Sequence, residues 1–312
     1  MIMSARWVLL AAATLVLYGC IYVGDWGDSH AFQEDFHHTY PLDPGGRVSV
    51  ESFNGSIEVV GWDQNFVEVN ATKYAHIKSY LEEIKIDVNA SQGSVRVRAV
   101  RPGDFFHSLG VRFSIRVPRK VVLELASTSN GKIEVDSLEG NARLRTSNGG
   151  IRAVRMKGNL EAQTSNGNID TEDCRGNASL HTSNGSVRAD AAGGSFEANT
   201  SNGRIVARLS DLDSSSPVRV RSSNGHIELS LEGKQLPEVR AATSNSFILL
   251  RLPASANARV RAYTSHSSVT SEFDELRSEN GRRRSELEGS IGRGGALLDL
   301  ETSNGSIRIA KL

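Results

Sequence analysis

The sequence predicts an all-β chain, a single-chain, parallel β-helix-like β-solenoid of about 18–22 residues per coil with an irregular N-terminal β cap. Three observations predict it. An 18-residue unit opening on Thr-Ser-Asn-Gly starts at Thr128, Thr146, Thr164 and Thr182, and a fifth opens at Thr200; such a period means stacked supersecondary units. The sixth position is apolar and β-branched in every copy (Ile133, Ile151, Ile169, Val187, Ile205, Ile227, Ile248, Val269, Ile307), as a pleated core requires. The seventh reverses charge from copy to copy (Glu134, Arg152, Asp170, Arg188), which brings opposite charges about 4.8 Å apart if successive units are neighbouring parallel strands.

Within a unit, two-residue alternation carries the apolar face on to position eight (Val135, Ala153, Thr171, Ala189, Ala207). It also carries it through the pairs Ala142 and Leu144, Leu160 and Ala162, and Ala178 and Leu180 before the next Thr. The phase slips between Asn and Gly, which marks a corner at Asn130-Gly131, Asn148-Gly149, Asn166-Gly167, Asn184-Gly185 and Asn202-Gly203. Asn and Gly tolerate positive φ there, and an inward Asn would stack on its neighbours while satisfying buried turn groups. Asn-Gly also suits a hairpin turn, which would give an antiparallel meander instead.

At the N-terminus, Arg6, an apolar run from Trp7 to Leu17 and then Gly19-Cys20 read as a secretory signal over residues 1–19. Leu17-Tyr18-Gly19-Cys20 resembles a bacterial lipobox, which implies lipidation of Cys20 and anchoring of the chain to a membrane. Ile21 in place of Asp after that cysteine favours, by analogy with lipoprotein sorting, the outer membrane of a host that has one. Trp7 to Val23 also stands at the lower limit for an uncleaved span, about 17 residues. Residues 20–45 are polar, with Gly24, Gly27, Pro41 and Pro44, and read as a tether. His30, His37 and His38 sit there without a metal-ligand frame.

Residues 46–126 lose the period and keep strand alternation, as in Val48-Ser-Val50 and Val111-Arg-Phe-Ser-Ile-Arg-Val117. They read as irregular first layers that hide an open sheet edge, with a short helix between Lys73 and Glu83. Residues 127–312 are the solenoid proper. Beyond Leu209 the units lengthen to 21 or 22 residues, and the one opening at Thr264 carries an extra segment at about 273–295, including Arg282-Arg-Arg, that reads as a solvated loop.

Lys plus Arg balance Asp plus Glu at 36 each, so no net field over the whole chain points to nucleic acid or an acidic polymer. The second cysteine, Cys174, sits where other copies hold Leu138, Met156 and Ala192, and reads as a small buried hydrophobe. No cofactor or metal motif is present, and no serine or cysteine has a base placed in a nucleophile's frame. Arg152, Asp170, Glu172, Asp173 and Arg188 offer the one acid, base and cation cluster that a polysaccharide-cleaving β-helix enzyme would need, yet a ladder of alternating charge explains the same residues. The chain reads as a non-enzyme.

Phe53-Asn-Gly-Ser-Ile-Glu-Val59 with Gly61-Trp-Asp63, Val117-Pro118, the repeated Thr-Ser-Asn-Gly-x-Ile and the closing Gly292-Arg-Gly-Gly-Ala resemble the bacterial envelope family catalogued as "putative adhesins", a domain of unknown function. The resemblance covers residues 46–312 and implies an exported β-solenoid. Two roles follow as expectations. One is a lipid-anchored structural or adhesive ladder facing glycan, cell wall or a partner protein; the other is an envelope-stress sensor acting through a membrane partner.

Overall fold

The computed structural model describes residues 32–101, 103, 109–233, 235–276 and 285–312. Each 18-residue unit forms one coil with two strands. One begins at the motif's isoleucine, as in Ile151–Val154, and the other runs up to the next threonine, as in Leu160–Gln163. First strands stack into one 13-stranded sheet and second strands into another, with parallel pairing throughout the repeats. An antiparallel meander is thereby excluded.

The register follows the sequence column by column. Ile133 lies opposite Ile151, Ile151 opposite Ile169, and the line continues through Val187, Ile205, Ile227 and Ile248. All are buried. In the second sheet Leu144, Ala162, Leu180 and Ala198 stand opposite one another, alternating large and small side chains across the core. No coil can bury an apolar face alone, so stacking makes the core.

Both ends depart from sequence order. At the N-terminal end the coil of Arg47–Glu51 and Ile57–Trp62 lies between the coil of Ser94–Val100 and Leu109–Pro118 and the first regular coil. At the other end the last strands, Ala296–Thr302 and Ile307–Lys311, insert between the coil of Val239–Thr243 and Ile248–Leu252 and the coil of Ala258–Thr264 and Val269–Ser271. Antiparallel strands then close the stack: Phe66–Ala75 and Lys85–Ser91 at one end, Glu286–Ile291 at the other.

Two sequence expectations are corrected. Of the segment read as a tether, Phe32–Pro41 is a ten-residue strand paired antiparallel with Phe66–Ala75. Its alternating Phe36, His38 and Tyr40 put rings on one face, with centroids 4.5 Å and 6.3 Å apart, which the polar composition concealed. The segment read as a solvated loop at 273–295 is in part a lid on the core: Phe273, Leu276, Leu287 and Ile291 are buried, and Glu286–Ile291 pairs with Ala258–Thr264. Arg282, Arg283 and Arg284 lie outside the described residues. The short helix forms at Lys78–Glu83.

Candidate functional site

The corners show what Thr-Ser-Asn-Gly does. The threonine, not the asparagine, points inward. Thr146 Oγ1 donates to the carbonyl of Gly131 one coil away (2.9 Å) and accepts from the amide of Gly149 (3.3 Å). Thr164, Thr182 and Thr200 repeat this pair of bonds, satisfying buried turn groups. The asparagines are exposed, against the inward expectation. They do stack: Asn148 Nδ2 donates to Asn130 Oδ1 (2.6 Å), and the ladder runs on through Asn166, Asn184, Asn202, Asn224, Asn245 and Asn304. It passes from Asn245 directly to Asn304, as the inserted last coil requires.

The corner glycines also differ from expectation. Gly131, Gly149, Gly167, Gly185 and Gly203 are not in the positive-φ region. They are glycine because coils touch there: a Cβ on Gly149 would lie 1.8 Å from the carbonyl oxygen of Gly131, and one on Gly167 the same distance from that of Gly149. Positive φ belongs to the opposite turn, at Gly158 (138°) and Gly176 (121°).

The residues singled out as an enzyme's best cluster form a ladder instead. Arg152 stands opposite both Glu134 and Asp170, and Asp170 opposite Arg188. Arg152 pairs with Glu172 at 2.8 Å, Arg188 with Asp170 at 3.9 Å and Asp173 with Arg175 at 3.7 Å. These side chains are largely exposed and do not converge on one point. Cys174 is buried and free, and burial pushes its thiol up to about 11, away from reactivity. Cys20 lies outside the described residues. Among the described residues no group of three or more His, Cys, Asp or Glu is placed to hold a metal.

The outward face of the second sheet is the better candidate. One column of side chains along it reads Arg143, Glu161, Ser179, Glu197, Arg219, Arg240, Asp299, Arg261 and Glu288. Arg143 and Arg145 both hold Glu161, at 2.8 Å and 3.1 Å; burial raises that carboxyl, and the two guanidiniums outweigh burial to leave it below its ordinary value. Beside it runs a second column of Gln163, His181, Asn199, Arg221, Ala242 and Glu301. Where Ala242 interrupts the long side chains a cleft of about 360 Å³ opens, walled by Arg219, Arg221, Arg240, Glu197 and Glu301. A shallower trough continues from it over Asn199 and His181. Sequence reasoning passed over these arginines, although Arg219 and Arg240 stand three residues before their motifs, where earlier copies hold Arg143 and Glu161, and Arg221 stands one before, where they hold Arg145 and Gln163.

A family profile, Toastrack DUF4097, matches residues 46–310. The chain belongs to that family. The Toastrack match takes in the irregular first layers as well as the repeats, which agrees with their sharing one pair of sheets. Comparison with curated proteins finds no match. Among solved structures, the Toastrack chain is similar to one titled a putative cell adhesion protein from Clostridium sporogenes, at 10% identity and TM-score 0.25, covering 89% of this chain and 100% of that one. It is similar to a "putative adhesin" from Bacteroides fragilis at 10% identity and TM-score 0.33, covering 89% and 97%. It is also similar to a "putative lipid binding protein" from Parabacteroides distasonis at 13% identity and TM-score 0.35, covering 89% and 96%.

Proposed function

We propose that this Toastrack protein is a non-enzymatic, lipid-anchored module of the cell envelope, a stiff ladder that presents a repeating polar face to glycan, wall polymer or a partner protein. The observation that carries the reading is the periodic face itself. Exposed Ser, Asn and charged side chains recur at every coil, about 4.8 Å apart, and a polymer that repeats along the same axis meets many equal weak contacts at once. Catalysis needs converging groups of perturbed acidity, and the charged side chains here are spread along ladders instead. Cys20 supplies the anchor, at the periplasmic side or surface of the outer membrane in a diderm host. Among the described residues no helix is long and apolar enough to cross a membrane. Near-equal acidic and basic content argues against nucleic acid as a partner.

Labelled palmitate is expected on the wild-type protein and absent from Cys20→Ala; label that persists in the variant refutes the anchor. Lipid-free protein is expected to bind whole cells or isolated wall polymer saturably, and a deletion strain to lose attachment while an envelope-stress reporter stays at its basal level. A shifted reporter with attachment intact would replace the adhesive role by a regulatory one.

A further inference from the structure

The outward column of the second sheet obeys one rule with one exception. From Arg143 to Glu288 each side chain faces an opposite charge or a neutral group, except at Arg219 and Arg240, which stand directly opposite each other on adjacent parallel strands. Like charges placed so destabilise a sheet. Arg221 adds a third guanidinium on the same face, two residues along from Arg219. Neither Arg219 nor Arg221 has a carboxylate partner among the described residues. Glu197, opposite Arg219 on the adjacent strand, is engaged by Asn199 (2.9 Å) and His181 (3.6 Å) instead. Arg240 reaches Asp299 only at 4.0 Å. A local conflict that costs stability and opens onto a cleft is what a binding site leaves in a sequence.

We infer that the cleft at Arg219, Arg221 and Arg240 takes an acidic linear glycan, with a sugar carboxylate among the three guanidiniums and the chain running along the trough over Asn199 and His181. The inference rests on the adhesive reading and names its ligand class. Guanidinium forks match carboxylate geometry and remain charged at any physiological pH. Amide and imidazole groups in the trough suit sugar hydroxyls, and their spacing of about 4.8 Å approaches the length of one pyranose unit. Glu197 and Glu301 in the walls leave a net positive charge of one, enough for single carboxylates spaced along a polymer and poor for densely charged duplex DNA. The trough also lacks the aromatic platforms that stack bases.

The test is calorimetric titration of the full-length lipid-free protein with polygalacturonate, neutral dextran of equal length, and a DNA duplex. Polygalacturonate is expected to bind, more weakly as salt rises, and dextran is not. The double variant Arg219→Gln/Arg221→Gln is expected to weaken binding at least about tenfold. Arg143→Gln/Arg145→Gln, whose arginines already share Glu161, should change it less than about twofold. Arg219→Gln should melt no lower than wild type, because it removes a repulsion. Equal binding of dextran or DNA, or an unaffected Arg219/Arg221 variant, overturns the assignment. If wild type ignores polygalacturonate yet attaches to cells, the cleft falls and the adhesive role stands; if it binds polygalacturonate and does not attach, the reverse holds.

Discussion

At the scale of single residues, the four letters of the motif divide one task. Thr fills the two buried hydrogen-bonding positions of the corner, Ser and Asn face water, and Gly lets consecutive coils touch. Gly149 and Gly150 separate these roles, because they are neighbours with opposite surroundings. A methyl on Gly149 would fall 1.8 Å from the Gly131 carbonyl oxygen, and one on Gly150 meets nothing nearer than 3.4 Å. Gly149→Ala is therefore expected to cost about 3 kcal/mol or more, since backbone of the next coil must move. Gly150→Ala should be neutral or slightly stabilising, within about 1 kcal/mol, through reduced freedom of the unfolded chain. Urea melts of the two variants against wild type check this, and equal midpoints would refute the close-approach account.

At the scale of coils and strands, the most informative feature is the exchange of order at the ends. Taken in chain sequence, Arg219, Arg240 and Arg261 would stand in one unbroken row; insertion of the last coil places Asp299 between Arg240 and Arg261 and removes one of the two repulsions. It also protects the C-terminus, since Ile307–Lys311 pairs with a strand on each side. Its amides are accordingly expected to exchange with deuterium as slowly as those of Ile205–Ser210 in mid-stack, although chain ends ordinarily fray. Phe32–Pro41, bonded on one side only, should exchange faster. Rapid exchange throughout Ile307–Lys311 would contradict the inserted position. The contrast also marks what could be read in advance. Coil length and register were legible because β-branched columns and charge reversal are local to each unit. Coil order was not, because Thr264 and Thr302 open equally acceptable units and nothing in either states which stacks first. The arginine cleft depends on outward neighbours in space, and the cap strands on long-range pairing, so a period along the chain announces neither.

Over the whole molecule, two 13-stranded sheets spaced at about 4.8 Å give a ladder on the order of 60 Å long, in which each coil leans only on its neighbours. Such an array has no second route around a broken layer. Ile169 sits at its middle, fully buried, with Ile151 and Val187 directly opposite on either side. Ile169→Asp introduces an unpaired carboxylate whose burial costs several kcal/mol, a large part of the roughly 5–15 kcal/mol that holds a domain together. The expected outcome is loss of the native β signal in circular dichroism, or one transition moved well below that of wild type. Ile169→Val, which copies the residue already present in the next coil, should cost only about 1 kcal/mol. A soluble Ile169→Asp protein melting with wild type would mean that the isoleucine column is not the spine of the stack, and the stiffness on which a polymer-facing ladder depends would lose its physical basis.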